Sequence, residues 1–140
     1  MAHAASRTSA ATRPAGIALR HLLVADAAVS GACGVLMAAA AEPLAGLLGL
    51  PAALLLPAGI VLLPWSLLLL WLARRPVPSA GWVRAVIAAN LVWALDCALV
   101  LAAGWFRPTG LGVAFVLLQI VAVLAFAGLQ HRGLRRQSPA

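Results

Sequence analysis

Four long apolar stretches, each fenced at its ends by arginine or proline, constrain this chain more than any single motif. They run over about 22–41, 53–73, 85–104 and 111–129. At 1.5 Å of rise per residue, each is long enough to cross about 30 Å of hydrocarbon as a helix. Helix is required, because lipid offers no partner for an open backbone N–H or C=O. The expected fold is therefore all-α: a four-helix transmembrane bundle over 17–131. A disordered cytoplasmic tail is expected over 1–16 and a short basic tail over 132–140. Composition agrees: 64% of the 140 residues are hydrophobic and only 9% are charged. A soluble domain of this size needs far more polar surface than that.

The charge pattern orients the bundle. Arg7, Arg13 and Arg20 precede span 1; Arg74, Arg75 and Arg84 flank the link from span 2 to span 3; Arg132, Arg135 and Arg136 follow span 4. All nine fall on one side, whereas Arg107 and Glu42 fall on the other. The positive-inside rule then places both termini in the cytoplasm. The absence of Lys and Tyr and the Ala/Leu/Arg bias suggest a GC-rich bacterial coding sequence, hence a bacterial inner (cell) membrane. A net charge of +7 would suit nucleic acid, but no arginine-rich helix face with interleaved aromatics exists to bind it. The expected surroundings are the lipid bilayer and a homo-oligomer or membrane-protein partner, with no nucleic acid. Span 1 also has the outline of a signal peptide, with arginines before it and Ala38–Ala41 after. Asp26 interrupts its apolar region and three further spans follow, so it reads as a retained span.

Trp71, Trp82 and Trp105 are placed to anchor at the interfaces, with Trp65 and Trp93 deeper. Pro64 should kink span 2 and free a carbonyl for Ser66 or water. Ala27, Ser30, Gly31 and Gly34 form a small-residue face suited to close helix packing. The connection EPLAGLLGLPAA, 42–53, is apolar enough to lie in the interface. A shift of 64 residues superposes Arg20 on Arg84, Asp26 on Asn90 and Cys33 on Cys97, the pattern of a duplicated helical hairpin.

Chemistry-bearing residues inside the spans are few: Asp26, Asn90, Asp96 and Gln119 form the candidate intramembrane polar site. Asp26 and Asn90 each lie six residues past an arginine, at a depth of about 9 Å. Asp26 is close enough to His21 and Arg20 for local pairing. Asp96 and Gln119 lie at matching depth on antiparallel spans. An aspartate at a helix centre costs about 2.5–3.5 kcal/mol to insert, while each large apolar neighbour returns roughly 0.3–0.6 kcal/mol. Span 3 should thus lean on its neighbours, with a neutral Asp96 acid donating to Gln119. On that arithmetic the Asp96–Gln119 contact holds the bundle, and Asp26 and Asn90 are the better places to look for function. His21 and His131, at the same end, offer a haem or metal pair, and Cys33 and Cys97 a redox pair. Neither set has the spacing of a metal site, and no cofactor is expected. Three acids and three histidines form no nucleophile–base constellation, so the chain does not read as an enzyme. A non-enzymatic or accessory membrane component is the first reading. A small transporter or proton-coupled channel using the intramembrane Asp, Asn and Gln is the second.

DAAVSGACG at 26–34, PLAGLLGLP at 43–51, RAVIAANLVW at 84–93, PTGLGVAFVLLQ at 108–119 and GLQHRGLRR at 128–136 together resemble a family of uncharacterised small four-span bacterial integral membrane proteins. The resemblance covers nearly all of the chain after residue 16 and implies a four-helix membrane bundle without an established activity. Two positions depart from it. A polar amide is expected where Cys33 stands, and small residues at 96 and 97, which makes Asp96 particular to this chain.

Overall fold

The computed structural model describes residues 2–137, with side chains from Gly16 onward. Five helices follow one another: α1 (Ala2–Ala39), α2 (Ala41–Leu48), α3 (Ala52–Ala73), α4 (Ala80–Ala102) and α5 (Gly110–Gln137). Four contain segments long and apolar enough to cross a membrane: Gly16–Ala39 of α1, and all of α3, α4 and α5. No strand occurs among the described residues. The tail expected over 1–16 lies, apart from Gly16, outside the residues whose side chains are described.

The turns explain where each helix stops. Span 1 ends at Ala39 rather than 41, and the apolar connection after it folds into the short helix α2. Gly49 closes α2 in the left-handed region at φ 68°, its N–H bonding Ala45 O. Only glycine is at ease there, and a Cβ would also meet Arg107 O at 2.7 Å. Pro51, with φ −66°, then leads into α3. Across the end remote from the chain termini, Thr109 joins the two hairpins. Its N–H donates to Leu48 O at 2.9 Å and its hydroxyl to Leu47 O at 2.8 Å. The same hydroxyl accepts the Gly112 N–H at 3.1 Å, capping the free start of α5.

Helices α4 and α5 outrun the expected spans, α4 starting at Ala80 and α5 continuing to Gln137. A 28-residue helix is about 42 Å long, beyond hydrocarbon thickness. The extension persists because it has a partner: Gln130, Gly133 and Leu134 are buried, and a Cβ on Gly133 would meet Leu19 Cδ1 of α1 at 3.2 Å. The residues expected as a basic tail are therefore helical from 132 to 137.

Packing centres on α1, which lies against α3 on one side and α5 on the other, while α4 packs on α5. The small-residue face of α1 lets α3 approach closely. A Cβ on Gly34 would sit 2.9 Å from Leu62 Cβ, and one on Gly59 only 2.6 Å from the Ala38 backbone nitrogen. Ser66 sends its hydroxyl to Ala27 O of α1 at 2.8 Å. It therefore ties two helices instead of serving α3 at Pro64, as expected from sequence. Helix α3 continues through both Pro57 and Pro64. Helices α3 and α4 form no interface comparable to α1–α5, so a two-fold packing of duplicated hairpins is not realised. The two helices do share a buried cluster at the arginine-bearing end, where Leu69 and Leu72 join Val83 and Val86.

Solvent logic is inverted relative to a soluble protein. Leu67, Leu118 and Val121 are 67%, 68% and 64% exposed, whereas Asp26, Asn90 and Gln130 are at most 3% exposed. Apolar side chains face outward and polar ones inward, as lipid demands. At the arginine-bearing end, Trp71 and Trp82 meet edge to face with centroids 5.7 Å apart, and the Arg75 guanidinium lies 4.5 Å from the Trp71 ring centroid. Trp105 stands exposed at the opposite end. These three are the tryptophans that sequence position marks as interface anchors.

Candidate functional site

The intramembrane polar residues separate into two places with different chemistry. The first is a hub on Asp26. Ser30, one turn along α1, donates to Asp26 Oδ1 at 3.2 Å. Asn90 of α4 and Gln130 of α5 both donate to Oδ2, at 3.0 and 2.7 Å. Four residues from three helices thus converge in an almost fully buried cluster. All three donors are neutral, and Gln130 Oε1 is left buried without a partner. Arg20, expected to pair with Asp26, turns instead to Ala73 O, its Nε donating at 2.7 Å. That bond closes the arginine-bearing end of the α1–α3 pair, because a guanidinium there finds an unsatisfied helix-terminal carbonyl within reach.

Gln130 was absent from the residues singled out by sequence. It falls one position past the expected end of span 4 at 129, in GLQHR beside the terminal arginines, where it reads as part of the aqueous end. Only the continuation of α5 along α1 turns its side chain inward. The available signal was the spacing of Ala127, Gln130 and Leu134, which repeats at three and four residues and marks one helix face.

The second place is a cleft of about 290 Å³ bordered by α3, α4 and α5. Met37 of α1, Leu54 and Ala58 of α3, Trp93, Asp96 and Val100 of α4, and Phe115 and Gln119 of α5 line it. Asp96 and Gln119 do share this space, as their matched depths predicted, but they do not pair. Gln119 Oε1 instead accepts the Trp93 indole N–H at 3.1 Å. Trp93 lies one helical turn before Asp96 on the same face of α4, and its long side chain reaches α5 first. Asp96 remains exposed, with no hydrogen-bond or ion-pair partner among the described residues. Trp93 also lines a smaller cavity of about 140 Å³ with Ser30, Trp65 and Asn90, so it stands between cleft and hub.

The roles expected from sequence are thereby exchanged. Asp26 and Asn90 hold helices together, and Asp96 is the carboxyl left free. His21 and His131 are both exposed, and no cluster of three or more metal-ligating side chains occurs among the described residues. Cys33 and Cys97 are free thiols, and Cys33 directs its S–H to Met37 Sδ at 3.5 Å. No protein-family pattern, curated protein or solved structure matches the chain.

Proposed function

We propose that this protein is a non-enzymatic component of a bacterial inner membrane, with both termini in the cytoplasm. In this reading it binds or associates within the bilayer and does not convert a substrate. The observation that carries it is the Asp26 hub. The most buried acid of the molecule is fully engaged with Ser30, Asn90 and Gln130, an arrangement suited to fixing helices and ill suited to turnover. The orientation is supported by the gathering of nine of ten arginines beyond the same ends of the spans. The proposed kinship is with the small four-span bacterial proteins that the chain resembles, and a homo-oligomer or a membrane-protein partner would cover its apolar flank.

The test is reconstitution. Purified protein in liposomes with an imposed pH gradient should show no proton leak above protein-free vesicles. A leak abolished by Asp26→Asn or Asp96→Asn would replace this reading with a proton-coupled channel or transporter. That second reading is favoured by one observation, the unpaired Asp96 in a membrane-facing cleft. A reporter fused after Gln137 tests the topology, and a periplasmic signal would overturn it.

A further inference from the structure

We propose that the cleft between α3 and α4 is a binding site for a lipophilic organic cation, an aryl-substituted quaternary or protonated amine, with Asp96 as its counter-charge. Three features select this class. The space, about 290 Å³, suits a small aromatic molecule, and it lies between α3 and α4 away from the end where Leu69 and Leu72 share a buried cluster with Val83 and Val86. Its walls are almost wholly apolar, with the aromatic rings of Trp93 and Phe115 among them, surfaces that attract cations as well as hydrocarbon.

Charge decides between a cation and other occupants. Asp96 carries the only carboxyl on the cleft wall, and no arginine or histidine lines it. An anion would meet like charge, and a lipid tail would leave the carboxyl in hydrocarbon with its insertion cost unrelieved. Only neutral polar groups, Gln119 and Trp93, share the cleft wall with it, and the Trp93 N–H is already committed to Gln119 Oε1. A cation places opposite charge beside Asp96 in a medium where such attraction is strong.

Binding without transport satisfies this inference, so it stands or falls separately from the flux experiment above. The probe is benzyltrimethylammonium, and the control is neopentylbenzene, which has the same shape without the charge. Equilibrium dialysis against nanodiscs with and without the full-length protein measures the excess bound. The unmodified protein should bind the cation saturably and the neutral isostere at least tenfold more weakly. Asp96→Asn should lower cation affinity at least tenfold with helicity and particle size unchanged, and Asp96→Glu should restore it. Glu42→Gln, outside the cleft, should leave affinity as it is. Equal binding of the two probes by the unmodified protein would show a groove for lipid tails and overturn the proposal. So would undiminished cation binding by Asp96→Asn, no saturable binding at all, or a dimer dispersed by Asp96→Asn that excludes the cation.

Discussion

Replacing Asp26 with alanine removes the acceptor for three side chains on three helices at once. Ser30, Asn90 and Gln130 bond to it at 3.2, 3.0 and 2.7 Å, and all three are buried. Hydrogen bonds between membrane helices contribute on average about 0.6 kcal/mol each and at most ~1.7 kcal/mol. The two that cross helices, from Asn90 and Gln130, suggest a loss of about 1 kcal/mol at the average value and ~3 kcal/mol at the maximum, to which the Ser30 bond within α1 adds. The upper part of that range is expected here, because truncation leaves the Asn90 and Gln130 amides unpaired in an apolar interior. The assay is reversible unfolding in mixed micelles titrated with a denaturing detergent, followed by circular dichroism. A double-mutant cycle with Gln130→Ala should show coupling well above ~0.5 kcal/mol, since both changes break the same bond. If Asp26→Ala unfolds within ~0.5 kcal/mol of the parent, or the two changes simply add, the hub does not hold the bundle.

Asp96→Leu should do the opposite: with no bond to lose, it exchanges an insertion cost for a gain, a difference of about 3 kcal/mol. A glycosylation-mapping assay on the isolated α4 segment should record more efficient insertion. Gly59→Ala should destabilise by about 1–3 kcal/mol by pushing α3 off α1. Gly46→Ala, whose Cβ would meet nothing within 4 Å, should be neutral in the same detergent titration. Thr109→Val should cost about 1 kcal/mol through loss of the α5 cap and of the bond to Leu47, and hydrogen exchange should reveal faster opening at the start of α5.

Much was legible without coordinates because the bilayer is a demanding solvent. Apolar runs of membrane-spanning length must be helices, and the placement of arginines suggests how they face, whatever the packing turns out to be. The close face of α1 was likewise readable, since glycine and serine at helical spacing admit another backbone. Gly59 on the opposing helix, which completes that contact, carries no such pattern around it. Helix ends were less legible: α5 runs on to Gln137 because α1 offers a partner surface beyond the hydrocarbon, and hydropathy registers only the hydrocarbon.

The candidate site marks the boundary most sharply. Sequence alone placed Asp26, Asn90, Asp96 and Gln119 within the apolar runs and ranked their relative levels, because 1.5 Å per residue is a one-dimensional ruler, though it passed over Gln130. Asp26 and Asn90 proved to be at one level, and so did Asp96 and Gln119. Depth carries no information about azimuth, and pairing depends on both. The rotation of α4 about its axis brings Asn90 against Asp26 and hands Gln119 to Trp93, and the cleft beside α4 leaves Asp96 free. That rotation follows from how four helices share a limited interior, with α1 at the centre and α4 held mainly by α5. Tertiary structure therefore decided which of the two acids is structural and which remains available to a ligand.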